Sequence, residues 1–139
     1  MDFYGTIANK IELYLCFHSA AQLLMYPLGN TASTELVPNI EDLREIAATT
    51  VAALEEEFGT VYRYGNAMET LYVTSGSSRD HAYGHYKTPL VFTYEMREGP
   101  ESIFILPEEQ IYPNAKEIYN SLIAMITKSK ELEYFKQKV

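Results

Sequence analysis

The sequence predicts an α/β fold in which helices pack on a sheet whose strands need not all be parallel. Two apolar segments of strand length, residues 12–18 and 89–96, are each followed further along the chain by a segment with the apolar spacing of an amphipathic helix. The chain has 139 residues, of which 47% are hydrophobic, and this is enough for one modest core. We therefore expect one unit, residues 1–139.

The first predicted strand, Glu12–His18, is short, apolar and rich in aromatic residues, which is typical of a largely buried strand. Because side chains alternate along a strand, Tyr14, Cys16 and His18 share one face. Residues 26–38 have the Pro, Gly and Asn content of a loop.

Two helices follow from capping residues and apolar spacing. Asn39 is placed to cap the first helix, and Gly59 is placed to end it. Its expected buried stripe is Leu43, Ile46, Ala47, Val51 and Leu54. The second helix is expected from about Pro113, with one stripe formed by Ala115, Ile118, Tyr119, Leu122, Ile123 and Ile126.

The remaining segments are less regular. Residues 60–88 are predicted to form exposed loops with short strand and helix pieces, including a strand-like piece at 71–76. Residues 89–96 form the second clear strand, and 104–106 a shorter one. Residues 128–139 are charged and are expected to extend the last helix in solvent.

Charge and composition exclude several classes of partner. The net charge of −8 disfavours nucleic acid and anionic membrane surfaces, because both would be repelled. No apolar run is long enough to cross a bilayer, and the single cysteine cannot form an internal disulfide. A peptide or a small molecule is the expected substrate.

Three ionisable residues lie where chemistry is expected, although each has an ordinary structural explanation. His18 ends an apolar strand, at the edge of the sheet where ligands bind, and is either a metal ligand or a structural histidine. Glu95 ends the other strand and is either a general base or the partner of a cation such as Arg97. Tyr72 precedes a Gly/Ser loop and either moves over a site or packs as one of 12 tyrosines.

Four groups of residues, in order and with near-family spacing, resemble the M14 family of zinc carboxypeptidases, which is related to pancreatic carboxypeptidases A and B. The resemblance extends from about residue 10 to residue 127. The four groups are Phe17-His-Ser19 with Met25-Tyr-Pro-Leu-Gly29, Tyr72-Val-Thr-Ser-Gly-Ser-Ser-Arg-Asp80, Phe92-Thr-Tyr-Glu-Met-Arg97 with Leu106-Pro107, and Gln110-Ile-Tyr-Pro113.

The resemblance implies a function for several residues. His18 corresponds to a zinc ligand, Glu95 to the catalytic glutamate, and Tyr72 to the mobile tyrosine that closes over the C-terminus of a peptide substrate. Ser19 also corresponds to a substrate-binding position. The implied fold is part of an α/β/α carboxypeptidase domain, and the implied cofactor is zinc.

Arg79 occupies the position that, in this family, lies at the base of the pocket for the last side chain of the substrate. A guanidinium there would pair with Glu or Asp and repel Lys or Arg, so we expect a preference for acidic C-terminal residues. Alternatively, Arg79 points outward or pairs with Asp80 or Glu69.

The chain departs from the family because it contains no His-x-x-Glu motif, which supplies the other two protein ligands of zinc. We therefore expect the C-terminal portion of a catalytic domain, inactive alone and completed by an N-terminal half. The alternative is a non-catalytic module that binds peptides or acts as an inhibitor. The resemblance also implies an extracellular location.

Overall fold

The computed structural model describes residues 2–136. The strands are β1 (Leu13–His18), β2 (Leu23–Tyr26), β3 (Arg63–Asn66) and β4 (Leu90–Glu95), and the α-helices are α1 (Phe3–Ile7), α2 (Ile40–Phe58), α3 (Ala67–Thr70), α4 (Ser78–Gly84) and α5 (Ile111–Glu131). Short 3₁₀ turns lie at Ala8–Lys10, Thr34–Leu36 and Glu108–Gln110.

The four strands form one mixed sheet in the order β1-β4-β2-β3. Strands β1 and β4 are parallel, β2 and β3 are parallel, and β2 is antiparallel to β4. The predicted mixed sheet with flanking helices is confirmed. Within this sheet β4 is a central strand that is buried up to Tyr94, whereas β1 lies at an edge.

Helices cover both faces of the sheet. On one face Phe17 stacks on Tyr94 with ring centroids 5.2 Å apart, and the Tyr94 hydroxyl lies 3.1 Å from Ser121 Oγ of α5. On the other face Cys16 Sγ lies 3.1 Å from Ser78 Oγ, at the start of α4. The long helices α2 and α5 pack against each other, so the main core lies between them and the sheet.

Helix α2 matches its prediction at both ends. Gly59 adopts the left-handed conformation (φ 69°), and its N–H donates to the Glu55 carbonyl, which ends the helix as expected. Asn39 is the N-cap, but its side chain makes no capping bond and instead donates to the Pro89 carbonyl. The buried face contains Leu43, Ile46, Ala47, Thr50 and Leu54, so Thr50 takes the fully buried place predicted for Val51.

Helix α5 begins at Ile111, with Pro113 in its first turn, but of its predicted apolar stripe only Ile118 is buried. The residues it buries are Glu117, Ile118, Ser121, Met125 and Ser129. Tyr119 and Ile123 are half exposed. The buried face lies at a different angle around the helix from the predicted stripe. Glu117 and Ser121 are buried because they bind polar partners in the core, whereas the prediction was based on apolar residues alone.

Several local predictions were wrong. Strand β1 is only partly buried, because an edge strand has a neighbour on one side. Residues 23–26, assigned in part to a loop, form the fully buried strand β2. Residues 71–76 and 104–106 are irregular rather than strands.

The segment after α5 also differs from the expected exposed helix. The helix ends at Glu131, and Leu132, Tyr134 and Phe135 fold back against the core. The last three residues of the predicted extension lie outside the described residues. None of the helices between residues 2 and 136 is both long and apolar enough to cross a membrane.

Candidate functional site

His18 and Glu95 lie side by side at the ends of two adjacent parallel strands. They are the last residues of β1 and β4, and their Cα atoms are partners in the strand register. Paired residues of neighbouring strands project to the same face of a sheet. The structure therefore brings together the imidazole and the carboxylate that the sequence placed far apart, at an end of the sheet where both side chains reach solvent.

The environment of Glu95 suits proton transfer. Burial raises the pKa of the Glu95 carboxyl above its ordinary value, while the nearby His18 acts in the opposite direction. Arg97, the cation expected to neutralise Glu95 in the structural explanation, is committed elsewhere: it donates two hydrogen bonds to the Glu117 carboxylate, at 2.9 and 2.5 Å. Glu95 is thus a partly buried carboxylate whose electrostatic neighbour is the His18 imidazole.

Backbone hydrogen bonds hold the ends of the two strands together. The Met96 N–H donates to the His18 carbonyl at 2.8 Å, and the Met96 carbonyl accepts from the N–H groups of Ala21 and Gln22. Ser19 follows His18 directly and is exposed, and the peptide bond between Ser19 and Ala20 is cis. The loop after β1 is therefore tied to the residue that follows Glu95.

Arg79 is buried on α4 and does not point outward, since only 4% of it is exposed. Its Nε donates to Asp80 Oδ1 at 3.1 Å, so the pairing with Asp80 is present. Its Nη2, however, is buried without a partner. Asp80 in turn accepts from the Gly29 N–H at 2.9 Å, which fixes the ion pair against the loop after β2.

A second orphaned polar atom lies beside Arg79. The Thr74 hydroxyl is also buried without a partner. A Cβ built on Gly29 would lie 2.0 Å from Thr74 Oγ1, 2.6 Å from Arg79 Nη2 and 3.1 Å from Asp80 Oδ2, so all three atoms crowd the same point. A buried, unsatisfied donor is costly, and neither the Thr74 hydroxyl nor Arg79 Nη2 makes a hydrogen bond, although the Asp80 carboxylate lies beside them. Such an arrangement suits an anionic oxygen from a ligand.

Tyr72 lies in the irregular segment between α3 and α4, and 64% of it is exposed. Its exposure excludes the explanation that it packs in the core. The segment is joined to the loop after β2 by the hydrogen bond from the Thr74 N–H to the Gly29 carbonyl. Tyr72 is therefore an exposed aromatic residue two positions before Thr74.

One buried ionic network near the site was missed from the sequence. Glu117 is fully buried and, besides Arg97, accepts a hydrogen bond from the Tyr62 hydroxyl. Arg97 also contacts Thr60 and Gln110. The position of Glu117 among apolar residues of a helix could have indicated this network, because a buried carboxylate requires a nearby cation.

The described residues fit zinc only in part. A zinc site in a protein needs three or four ligands, and His18 supplies one imidazole. Between residues 2 and 136 no group of three His, Cys, Asp or Glu side chains is arranged to hold a metal ion. The other ligands of a zinc ion bound at His18 would have to come from outside the described residues.

Comparison with known proteins identifies the family. A family model described as zinc carboxypeptidase matches residues 1–121. The chain is 38% identical to zinc carboxypeptidase A 1 of Anopheles gambiae over 138 residues, covering 98% of this chain and 31% of that protein. It is 36% identical to bovine carboxypeptidase A1 over 126 residues, covering 91% and 29%. The chain thus spans about a third of the length of the curated relatives it matches.

Solved structures show the same fold. Bovine thrombin-activatable fibrinolysis inhibitor, solved in complex with tick carboxypeptidase inhibitor, superposes with a TM-score of 0.85 at 26% identity, over 94% of this chain and 44% of that one. Carboxypeptidase A of Helicoverpa armigera gives a TM-score of 0.81 at 23% identity, over 94% and 32%, and shows the fold alone. From the family match, the relatives and the shared fold we conclude that this chain belongs to the zinc carboxypeptidase family.

Proposed function

We propose that this chain supplies the later part of the active site of a metallocarboxypeptidase, which removes the C-terminal residue of a peptide. The observation that carries the proposal is the register of β1 and β4, which sets His18 beside Glu95 on one face at the end of the sheet. A metal ligand and a general base must share one water molecule, and adjacent strand ends provide the required proximity.

The proposed functions of the two residues follow from their environments. His18 is exposed, so its imidazole is available as one ligand of zinc. When bound, zinc supplies Lewis-acid activation of water and of the scissile carbonyl. Glu95 accepts a proton from the attacking water at a carboxylate oxygen and passes it to the leaving amine. Burial raises the pKa of Glu95 in the metal-free chain, which is the direction that suits a general base.

Ser19 and Tyr72 are proposed to contact the substrate. Ser19 is exposed and directly follows His18, so its hydroxyl lies next to the proposed metal site in the chain. Tyr72 is exposed in an irregular segment and is proposed to close over the substrate's C-terminus. Closure would exclude bulk water from the site and leave the attacking water beside the reacting carbonyl.

Arg79 is proposed to give the enzyme a preference for acidic C-terminal side chains. The support is its burial together with the unpartnered Nη2, which a Glu or Asp carboxylate would satisfy with a charge-assisted hydrogen bond. Asp80 neutralises part of the guanidinium through Nε, so the pocket retains one free edge of the cation rather than two. A Lys or Arg side chain would meet like charge there.

The isolated chain is proposed to be inactive, and the partner that completes it is an N-terminal half carrying His-x-x-Glu. Support comes from the single imidazole at the site, with no three-residue metal group in the described part of the chain. The proposed substrate is a peptide C-terminus, and the net charge of −8 disfavours nucleic acid and anionic membrane surfaces. We propose an extracellular location, as the resemblance implies.

The test is to join the chain to an N-terminal half with His-x-x-Glu, add zinc, and compare cleavage of peptides ending in Glu, Phe and Lys. We expect fastest cleavage of the Glu peptide, and loss of that preference in Arg79→Met. Glu95→Gln should reduce kcat by at least a hundredfold while peptide binding is retained. Equal or slower cleavage of the Glu peptide would refute the function assigned to Arg79, and full activity of Glu95→Gln would refute the general base.

A non-catalytic module is the second candidate, and the incomplete metal site favours it. Such a module, which would bind peptides or act as an inhibitor, should bind peptides ending in Glu tightly without metal. The enzyme portion should bind them weakly until the other half is present. Titration of the isolated chain with such a peptide, followed by calorimetry, separates the two.

A further inference from the structure

We propose that His81 and His85 form a second metal site, separate from His18, which chelates a divalent transition-metal ion such as Cu²⁺ or Zn²⁺ through two imidazoles. The site lies at the C-terminal end of α4. It goes beyond the proposed peptidase function and does not depend on it.

The backbone places the two histidines on one face of the helix. The His85 N–H donates to the His81 carbonyl at 2.9 Å, which is the hydrogen bond of one helical turn. His85, the C-cap, keeps helical angles (φ −90°, ψ −54°). Residues four apart on a helix are neighbours on its surface. The two rings are stacked, with centroids 4.8 Å apart and an interplanar angle of 7°, so their in-plane nitrogens do not converge in this arrangement and one ring has to rotate for both to bind a single ion.

Both rings contact the Tyr86 ring and remain open to solvent, which leaves room for them to turn toward an ion. The Tyr86 ring meets each imidazole nearly at a right angle, with centroids 5.0 Å from His81 and 4.6 Å from His85. Both histidines are exposed. The Tyr86 hydroxyl donates to the carboxylate of Asp2, which also accepts from the Gly5 N–H at 3.0 Å. A fixed negative charge beside the pair favours a bound cation.

The spacing and the ligand type match known metal chemistry. Imidazole nitrogen suits Cu²⁺, Ni²⁺ and Zn²⁺, and two histidines separated by three residues on a helix are a known zinc-binding arrangement. No third His, Cys, Asp or Glu of the described residues completes a three-ligand group, so water fills the remaining positions. The site is therefore expected to be weaker than a structural zinc site, and to follow the order Cu²⁺ above Zn²⁺.

Metal binding here would have a local structural consequence. An ion that joins His81 to His85 closes the last turn of α4, and α4 also carries Arg79. Because an ion that binds only the helical form stabilises that form, the occupied site would hold this helix more firmly.

The test is a titration of the full chain with CuCl₂, ZnCl₂ and MgCl₂, followed by calorimetry and by broadening of the histidine ring signals in NMR spectra. We expect Cu²⁺ to broaden the His81 and His85 signals together, and Mg²⁺ to have no effect. His81→Gln and His85→Gln should each weaken Cu²⁺ binding at least tenfold, whereas the control His18→Gln should leave this binding event unchanged.

Two results would overturn the proposal. One is unchanged Cu²⁺ affinity in both variants, which would mean that the rings only pack against Tyr86. The other is loss of all metal binding in His18→Gln, which would assign the ion to the proposed peptidase site instead. Each variant replaces an exposed side chain, so the fold should be retained, and circular dichroism of each variant verifies this.

Discussion

Replacing Arg97 by Met should destabilise the chain strongly, because it leaves Glu117 as an unpaired buried charge. Glu117 is 0% exposed, and the Arg97 side chain is 12% exposed. Two hydrogen bonds of 2.9 and 2.5 Å join them. Removing one partner of a buried pair costs about 3–5 kcal/mol. Because Arg97 retains some contact with water, we expect about 3 kcal/mol, at the lower end of that range.

The assay is urea unfolding at pH 7 followed by circular dichroism. With a slope of about 2 kcal/mol per molar urea, the expected loss lowers the midpoint by about 1.5 M. The matched control is Arg44→Met, which breaks an Arg–Glu pair of 2.7 Å whose side chains are 44% and 80% exposed. That exposed pair should contribute less than about 1 kcal/mol.

A double variant tests the cause. Adding Glu117→Gln to Arg97→Met removes the buried charge and leaves an amide oxygen for the Tyr62 hydroxyl. The double variant should therefore recover about half of the lost free energy of unfolding, roughly 1.5 kcal/mol. A loss below about 1 kcal/mol in Arg97→Met, or a double variant no more stable than the single one, would refute this reasoning.

Three further changes have expected outcomes that urea midpoints can measure. Burial raises the pKa of Glu95 in the folded chain, so the protonated carboxyl stabilises the fold below the unfolded-state pKa, and this stabilisation is lost as pH rises through the folded-state pKa. Glu95→Gln, which stays neutral, should therefore raise the urea midpoint at pH 7 but not at pH 3. An equal change at both pH values would contradict the raised pKa of Glu95. Gly59→Ala forces a side chain into φ 69° and should cost about 1 kcal/mol, and a neutral result would exclude a left-handed cap. Tyr94→Phe removes the buried contact with Ser121 and should cost about 1 kcal/mol, and an unchanged midpoint would contradict a net stabilising contribution from this contact.

The sequence predicted those elements whose stabilising contacts are local. Helix α2 was predicted within one residue because its apolar spacing and Gly59 are contained in the segment itself. Strand β2 was missed because its four residues are all buried, so they show no alternation, and a run this short resembles the start of a loop. The buried face of α5 depends on Arg97 and Tyr94, which lie outside the helix, and its own residues do not indicate them.

The candidate site was predictable from its residues but not from its geometry. Position at a strand end suggested His18 and Glu95 separately, whereas their proximity depends on the pairing of β1 with β4. The register could not be read from the two segments, because both are apolar throughout and fit several alignments. For Arg79, the sequence left a place at the base of a substrate pocket, an outward orientation, and pairing with Asp80 or Glu69 as alternatives. The structure shows burial and pairing with Asp80, and the pocket stays a proposal.

The hydrogen bond from Met96 to the carbonyl of His18 has a consequence for how an active site built on this sheet could move. It joins the ends of two strands, so the imidazole and the carboxylate are carried by main-chain segments that are hydrogen-bonded to each other. Under the proposed function, substrate entry and product release would leave the spacing of these groups unchanged and would be accommodated by the segment that carries Tyr72. Catalytic geometry and gating would then fall to different parts of the chain.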